Sequence, residues 1–420
     1  MNLGKAYSQG EDKLSSIYIL LLYLYAFSLP LRFNLKGILL LVLIGLFLWR
    51  SFQKQVHWRS IFQNATFRIL SAYLLLCGIS MLVSASPQKA VRFVTLQAML
   101  PVLTVLFYRQ LSRRQVHNTL FAFTFSCFLL SLHSLYVIGM EYSREEVGRL
   151  APFPNIDWNY ISHFMPHRAD FHAPYYSFYI GVCLIIHSYF LFNTSFIRQR
   201  KDFFLHLFLF LYFFAFQALL ASRTALVATV FFMALVALYL SVRAGKYVLV
   251  LAVILVTVSS SLLVYQNVSY LKKKISTGTG VSQREIMWRS AIDLIGEHPM
   301  LGTGTGDIEE ALVTKYRQYH FQEGVDVRLD AHNQYLMHGA SMGLMGAFML
   351  LLLFLHLLLK AYHTKDYILF TVVAVFAICC ITESMLQRRD GTLLFAFMAA
   401  LLLFAPKEHI SSATPAASKS

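Results

Sequence analysis

Long apolar runs separated by short polar connections make up most of this chain. Because backbone hydrogen bonds must be satisfied within lipid, and the runs lack the alternation of a membrane barrel, they predict helices. The pattern predicts an all-α polytopic membrane protein with about 12 transmembrane helices. Two runs are short, so a count of eleven or a re-entrant segment stays open. The runs lie near residues 15–30, 37–49, 67–83, 90–108, 118–140, 174–192, 203–221, 224–242, 246–265, 333–359, 366–386 and 391–405.

The polar segments divide this helical membrane domain. Residues 1–265 are expected to hold helices 1–9, with a shorter loop at 141–173, and residues 332–405 to hold helices 10–12. A long polar loop at 266–331 separates the two parts, and residues 406–420 form a tail. The shorter loop is rich in aromatic residues, prolines and histidines. This composition favours an aromatic belt at the membrane interface, and its histidines lack a metal-binding spacing such as HExxH.

Composition agrees with the hydropathy pattern and excludes a soluble protein. The chain is 57% hydrophobic and 14% charged, with a mean hydropathy of +0.57, whereas soluble domains average about 25% charged residues. The net charge of +15 does not indicate nucleic-acid binding, because Lys and Arg lie mostly in short loops between apolar runs. Membrane orientation explains them better.

The basic residues predict which side of the membrane each loop occupies. Those of five alternating loops are Arg50, Lys54, Arg59, Arg109, Arg113, Arg114, Arg198, Arg200, Lys201, Arg243, Lys246, Lys360 and Lys365. These loops are expected to be cytoplasmic, so both termini are cytoplasmic and the two long loops lie outside. Arg388 and Arg389, in one short outer loop, run against the rule.

Two arginines on the outer side are candidates for binding an anion. Arg223 lies between the runs 203–221 and 224–242, each long enough to cross the membrane once. An arginine there can also simply extend to the lipid headgroups. Arg284 falls in an amphipathic helix predicted to open at Ser282. A cation in the first turn of a helix is unfavourable without a nearby anion, which favours a bound phosphate, although Glu285 and solvent can also compensate.

A titratable pair lies on the same side as these arginines. His332 is at the start of the tenth predicted helix, where the polar loop meets the membrane. A lone histidine there is more often an interfacial residue or a cap than a catalytic group. Glu383, near the outer end of its span, is expected to have a polar partner because a carboxylate within the membrane is costly.

Glycines mark two further segments of this half. The stretch 298–307 contains Gly302, Gly304 and Gly306 but neither the spacing of a dinucleotide loop nor a P-loop lysine. It predicts a turn-rich connection into a helix at about 308–319. Gly339 and Gly343 form, with Ala347, a stripe of small residues at which another helix is expected to approach closely.

These features in this order resemble the O-antigen ligase and polymerase superfamily. The resemblance covers about residues 203–386, and it includes the layout of spans with a long outer loop before the tenth. It rests on an ordered set of segments: Ser222-Arg223-Thr224, Arg284-x-x-x-Trp288, Glu297-His298-Pro299-Met300-Leu301-Gly302-x-Gly304-x-Gly306, Ala331-His332-Asn333-x-Tyr335-Leu336 and Gly343-x-x-Gly346.

The resemblance implies a membrane glycosyltransferase of the GT-C type in the bacterial inner membrane, with a periplasmic active site. Such enzymes move a glycan from undecaprenyl diphosphate to an acceptor hydroxyl with inversion, and they use no metal and no cofactor. Arg223 and Arg284 match the arginines that hold the diphosphate. His332 matches the essential histidine at the acceptor side.

The remaining assignments follow from chemistry and position. Asp330 or Asn333 is expected to orient the His332 ring, and Glu383 to support the site. Arg92, near the outer end of its span, is a candidate for a further phosphate or glycan contact.

Several functions fit these residues. One is an O-antigen ligase that transfers finished polymer to lipid A-core, and a second is an O-antigen polymerase that joins repeat units. A third, outside the enzymes, is a transporter of polyprenyl-linked glycan in which the arginines act as transit contacts. A protein-glycosylating relative is a smaller fourth possibility.

Overall fold

The computed structural model describes residues 3–53, 56, 58–145, 156–192, 199–220, 222–243 and 279–405. Within these ranges all regular structure is helical. The helices are α1 Leu3–Ser28, α2 Leu35–Phe52, α3 Trp58–Gln63, α4 Ala65–Leu82, α5 Pro87–Gln97, α6 Met99–Phe107, α7 Arg113–Arg144, α8 Trp158–Arg168, α9 Ala173–Phe192, α10 Arg200–Leu219, α11 Arg223–Arg243, α12 Thr279–Glu297, α13 Ile308–Gln318, α14 Gln322–Val327, α15 Gln334–His363, α16 Tyr367–Thr382 and α17 Arg389–Leu403.

The predicted class of an all-α polytopic membrane protein is confirmed. Among the described residues, 8 helices are long and apolar enough to cross a membrane, and Lys13–Ser28 and Tyr367–Thr382 are shorter apolar helices. Every predicted apolar run lies on described helices except the run at 246–265, which falls outside the described residues.

Helix α9 is the most buried of these candidate spans. It packs against α10, α11 and α16, and 78% of an apolar stretch of 18 residues within it is buried. Tyr175 and Tyr176, which directly follow the 141–173 loop at the start of this helix, are only 2% and 0% exposed and so do not extend the predicted aromatic belt. Large aromatic side chains bury much apolar area, so they are used here to fill the bundle interior.

The described part of the long polar segment is a small helical layer with its own core. Helices α12, α13 and α14 enclose a cluster that includes Met287, Leu294, Leu312, Tyr316 and Phe321. The predicted helix after the glycine-rich stretch is confirmed as α13. At the start of α5 this layer contacts the membrane helices through Asp307, which accepts hydrogen bonds from the backbone N–H groups of Ala85 and Ser86, the latter at 2.9 Å.

Helix α15 is interrupted at Gly343, which corrects the predicted stripe of small residues. Gly339 does face another helix, because an added Cβ would lie 2.7 Å from the side chain of Ile295 on α12. Gly343, however, has a φ of 73°, and an added Cβ there would lie 2.3 Å from the Met300 carbonyl oxygen. Glycine is needed at this position because other residues rarely adopt positive φ. The break therefore receives a loop and not a helix.

The turn-rich connection predicted at 298–307 is the segment that fills this break. Leu344 N–H donates to the Pro299 carbonyl at 2.9 Å, and Thr303 N–H donates to the Ala340 carbonyl at 2.8 Å. Gly304 N–H donates to the Ser341 carbonyl at 3.0 Å. These bonds satisfy backbone groups that the interrupted helix leaves without an internal partner. They fix the polar layer on top of α15.

The start of α12 also differs from the sequence prediction. The helix begins at Thr279 and not at Ser282. Arg284 therefore lies five residues inside it, more than one turn of about 3.6 residues. The argument that the helix dipole makes a first-turn cation at Arg284 unfavourable does not hold, and the reason for an anion near Arg284 must come from its neighbours.

Candidate active site

His332 lies in the short connection between α14 and α15 with a backbone conformation that is rare for its residue type. Its φ is 44°, in the left-handed region that non-glycine residues seldom adopt. Asp330 holds this turn, because its carboxylate accepts the His332 backbone N–H at 2.8 Å. Strained backbone of this kind is concentrated at functional sites and persists only when its surroundings enforce it.

Glu383 is the partner of the His332 ring. Its Oε2 lies 3.0 Å from His332 Nδ1. Glu383 follows the last residue of α16 and is 8% exposed, so the predicted polar partner of this carboxylate is found. An ionised carboxylate can only accept, so a neutral His332 ring paired with it carries its proton on Nδ1 and keeps the lone pair of Nε2.

The second oxygen of the same carboxylate faces Arg284. Glu383 Oε1 lies 3.5 Å from Arg284 Nη2. A guanidinium has five N–H donors in a fixed fork, and one ion pair of this length leaves most of them for another anion. The Arg284 side chain is 38% exposed, so its charge is accessible from outside the protein. Glu383 thus joins a titratable ring and a fixed cation in one cluster.

The surroundings of His332 shift its pKa. Burial alone would lower the pKa of the imidazole, but hydrogen bonding to Glu383 and the charges of Asp330 and Glu383 outweigh it, and Arg284 opposes them weakly. The net pKa of His332 is raised above its ordinary value. A histidine with a raised pKa is a stronger base when neutral.

Arg223 begins α11, and the described backbone brings that helix end to the same place. The neighbouring Thr224 hydroxyl lies 3.0 Å from the Thr382 hydroxyl, and Thr382 directly precedes Glu383. The Arg223 side chain lies outside the described atoms. Its proposed contact with a diphosphate therefore stays a prediction, supported by the position of its helix end.

Asp330 and Asn333 have different tasks from the ring orientation predicted for them. Asp330 lies 3.9 Å from His332 Nδ1 and accepts a hydrogen bond from the Ser384 hydroxyl at 3.1 Å. It thereby connects the turn that contains His332 to residues 383–388 between α16 and α17, which we call the Glu383 loop. Asn333 caps α15, because its side-chain oxygen accepts the backbone N–H groups of Tyr335 and Leu336. The ring itself is oriented by Glu383.

The Glu383 loop is held from beneath by buried polar side chains that sequence reasoning missed. Gln97 Nε2 donates to the Leu386 carbonyl at 2.8 Å, and Gln334 accepts the Leu386 backbone N–H. Tyr175 donates its hydroxyl to the Ser384 carbonyl at 3.1 Å. Each of these residues is uninformative alone in an apolar run, because its role depends on a partner far away in sequence.

His172 is a further neighbour that no motif indicated. Burial lowers its pKa, and it lies within electrostatic range of Glu383, Arg388, His332 and Asp330. Its Nδ1 is buried and has no hydrogen-bond partner among the described residues. The sequence offered only its place in a histidine-rich loop.

Arg92 is not part of this cluster. It lines a separate cavity with Lys36 and Arg389, and none of the residues around His332 lines that cavity. As for metals, the described part of the chain contains no group of three or more His, Cys, Asp or Glu residues that could hold an ion.

The arrangement around His332 is suited to transfer chemistry on an anionic substrate. A carboxylate-oriented imidazole can remove a proton from a hydroxyl, and a neighbouring guanidinium can bind a departing oxyanion. Hydrolysis and transport would use these groups differently from transfer. Relationships to known protein families therefore help to choose among these functions.

Comparison with known families agrees with the resemblance predicted from the motifs. Residues 208–351 match the sequence model of the O-antigen ligase family. The matched range includes Arg223, Arg284 and His332, whereas Glu383 and Arg92 lie outside it. A search of curated proteins found no match. The family match, with the ordered motifs and the membrane helices, supports the resemblance of this multi-pass membrane protein to the O-antigen ligase and polymerase superfamily.

Proposed function

We propose that this protein is an O-antigen ligase that transfers a glycan from undecaprenyl diphosphate to a hydroxyl of lipid A-core. One observation carries the proposal: the Glu383 carboxylate lies 3.0 Å from the His332 ring and 3.5 Å from the Arg284 guanidinium. This juxtaposition supplies the two groups that the transfer needs, a base for the acceptor and a cation for the leaving group.

His332 is the proposed general base. Its Nε2 takes the proton of the acceptor hydroxyl while the acceptor oxygen forms a bond to the anomeric carbon. The bond from that carbon to the diphosphate oxygen breaks at the same time, and its electron pair leaves with the diphosphate. Attack from the face opposite the leaving group inverts the anomeric centre. A positioned base of this kind typically contributes about 10² to 10⁴ in rate.

Glu383 is the proposed positioning residue for this base. It fixes the tautomer in which Nδ1 is protonated, and it stabilises the imidazolium that forms during transfer. The pairing resembles the carboxylate and histidine of serine hydrolases in its physical logic, where the carboxylate orients the ring without taking the proton. Glu383 also keeps Arg284 close to the acceptor side.

Arg284 and Arg223 are the proposed ligands of the donor diphosphate. Guanidinium groups bind phosphate oxygens in pairs and stay charged at any working pH. Preorganised donors at a developing negative charge contribute roughly 3 kcal/mol each in measured cases. We propose that these fixed cations make a metal ion unnecessary, as in a GT-C type enzyme with a lipid-linked donor. Activity in the presence of EDTA tests that proposal.

The proposed site faces the periplasm from the bacterial inner membrane. The alternating basic loops support this orientation, with both termini in the cytoplasm. A lipid-linked donor and a lipid A acceptor would both reach the site from the surrounding membrane. Cysteine labelling of the Arg109 to Arg114 loop and of the 141–173 loop from one side tests the topology.

Deletion of the gene distinguishes a ligase from a polymerase by the glycans that the deletion strain makes. In a deletion strain, long polymer stranded on the carrier with no capped lipopolysaccharide supports the ligase. Lipopolysaccharide capped by one repeat unit supports the polymerase instead. A deletion strain in which the lipid-linked glycan stays on the cytoplasmic side of the membrane supports the transporter. Reconstituted wild-type protein that transfers no glycan from purified donor would contradict both enzymatic readings.

A further inference from the structure

A cavity on the side of the bundle where the Glu383 loop lies carries an unusual concentration of positive charge. It has a volume of about 350 Å³ and is lined by Lys36, Arg92 and Arg389, a size within the usual range of about 300 to 1,000 Å³ for ligand pockets. The three cations come from α2, α5 and α17. No acidic residue lines this cavity within the described part of the chain.

The carboxylate beside Arg389 in the chain is paired with an arginine outside this group. Asp390 follows Arg389, but its Oδ1 lies 2.9 Å from the Nη1 of Arg32 on the neighbouring connection. Among the described residues, neither Arg92 nor Arg389 lies within ion-pair distance of an acidic side chain. Three cations that share one cavity repel one another, and this arrangement is stable only when water or an anion compensates them.

Lys36 is the buried member of the group and is held in a fixed position. The residue is 4% exposed, and its Nζ donates to the carbonyl oxygens of Leu31 at 2.8 Å and Leu29 at 3.3 Å. Those bonds use two of the three N–H groups of an ammonium. Its position in the first turn of α2 is unfavourable against the helix dipole. Arg389, the first residue of α17, shares this disadvantage.

Apart from Tyr25 and Thr95, the rest of the cavity wall is apolar and lies on the membrane helices. Leu40, Leu96 and Met99 belong to this wall, and Ile38 and Leu41, apolar residues on the same helix as Lys36, are 59% and 71% exposed. Cations above an apolar wall match an amphiphile whose charged headgroup lies at the membrane surface. Basic pockets between membrane helices bind phosphorylated lipid headgroups for this reason.

The cavity is joined to the candidate active site by one short loop. Arg389 is six residues after Glu383, and α5, which carries Arg92, is joined to the same loop by the bond from Gln97 to the Leu386 carbonyl. A ligand held by these cations therefore lies beside the loop that carries Glu383, but it does not touch the proposed donor ligands.

We infer that Lys36, Arg92 and Arg389 form a phosphate-binding subsite for the headgroup of a phosphorylated glycolipid, the acceptor of the transfer. The inference rests on the proposed function for the identity of the acceptor. It assigns the two anionic substrates to separate groups of cations: the donor diphosphate to Arg223 and Arg284, and the acceptor phosphate to this subsite. It also gives Arg388 and Arg389, which violate the charge rule, a location beside a functional cavity.

Binding of defined lipids to the purified full-length protein tests the subsite. The probes are lipid A with its phosphates, the same lipid A with the phosphates removed, phosphatidylglycerol and inorganic phosphate, measured by native mass spectrometry. Loss of two charge-assisted hydrogen bonds predicts at least about tenfold weaker binding for dephosphorylated lipid A and for the Arg92→Gln/Arg389→Gln variant. Lys89→Gln is the matched control, because Lys89 is a cation of α5 that is already paired with Glu309 at 3.1 Å.

Three results would overturn the inference. Equal binding of lipid A by wild type and the double variant removes the subsite. Displacement by inorganic phosphate at equimolar phosphorus assigns it to free phosphate, and equally tight phosphatidylglycerol binding assigns it to membrane lipid in general. Each contradicts the acceptor subsite.

Kinetics on the same preparations separate this inference from the proposed function. The double variant is expected to raise the KM for acceptor about tenfold and to leave the KM for donor unchanged. His332→Asn is expected to bind phosphorylated lipid A like the wild type while losing transfer. Phosphate-dependent lipid A binding by a protein that never transfers glycan to lipid A-core would instead contradict the proposed function alone.

Discussion

Glu383 accepts a hydrogen bond from the His332 ring across 3.0 Å, although the two residues are 51 positions apart in the chain. The same carboxylate lies 3.5 Å from Arg284 on α12. The Glu383 carboxylate is therefore the one side chain that contacts both the proposed base and the cation of this cluster. Most of the functional consequences that we expect depend on how this carboxylate divides its attraction between a base and a cation.

Replacement of His332 by asparagine is expected to lower kcat by about 10² to 10⁴, because the general base is removed. Asparagine is the suitable replacement, since it tolerates the positive φ of 44° at this position. His320→Asn is the matched control, because His320 is in the same polar layer and has a φ of 52°. Transfer by reconstituted protein is the measurement. Similar kcat values for the two variants would contradict the role of His332.

Replacement of Glu383 by glutamine is expected to change the pH dependence as well as the rate. The base acts when neutral, so kcat/KM rises with pH through the pKa of His332, which the native carboxylate raises. Without that charge, burial and Arg284 lower this pKa, and the acidic limb of the profile moves to lower pH.

The kcat of Glu383→Gln is expected to fall by about 10² or more, as for other carboxylates that hold a catalytic histidine. Glu310→Gln serves as the control, because Glu310 pairs with Arg328 on the exposed surface of the polar layer. A profile for Glu383→Gln that keeps its wild-type acidic limb would show that the carboxylate does not act on the His332 ring.

Replacement of Arg284 by glutamine is expected to reduce kcat/KM for the lipid diphosphate by roughly 10² to 10³, the effect of losing about 3 to 4 kcal/mol at the leaving group. Arg284→Lys is expected to recover only part of this loss, since an ammonium cannot bind two phosphate oxygens as a guanidinium does. Arg289→Gln, an exposed arginine on the same helix, is the control. Equal losses for Arg284→Gln and Arg289→Gln would indicate a general effect of surface charge.

Replacement of Gly343 by alanine is expected to destabilise the contact between the polar layer and α15. Its φ of 73° and the 2.3 Å approach of an added Cβ to the Met300 oxygen make alanine strained, at a cost of about 1 to 3 kcal/mol for the backbone alone. Gly78→Ala is the control, because an added Cβ there meets nothing within 4 Å.

Thermal unfolding of the detergent-solubilised variants measures the difference between these two glycines. Alanine at Gly78 is expected to be neutral or to stabilise α4 by about 0.5 to 1 kcal/mol. An unchanged unfolding temperature for Gly343→Ala would mean that the loop at Met300 yields easily, and that the break in α15 is not fixed by these contacts.

Much of the fold was accessible from the sequence because lipid imposes one rule on every span. A segment that crosses hydrocarbon must be apolar and about 20 residues long with its hydrogen bonds internal, so composition alone reveals it. The helix at 308–319 and the turn-rich segment before it were also predictable, since glycine, proline and capping residues act locally. The start of α12 was wrong by three residues, because helix ends carry the weakest local signal.

The candidate site was predicted as a set of residues and not as an arrangement. His332 and Glu383 stood out because each is unusual or costly near the membrane surface, and Arg284 stood out as a cation in the predicted first turn of a helix. No pattern in the sequence indicated that Glu383, and not Asp330 or Asn333, contacts the His332 ring. That choice depends on where α16 ends relative to α15, which is decided by packing between distant helices.

The sequence by itself determined an all-α membrane protein and the residue types that its chemistry needs. Hydrophobic length and local capping are properties of neighbours along the chain. Only the tertiary structure decided that Arg92 lines a cavity with Lys36 and Arg389, apart from the His332 cluster. It also decided that a loop, and not the expected helix, packs against Gly343. These pairings join residues far apart in sequence, and their free energy comes from contacts that exist only after the helices have packed.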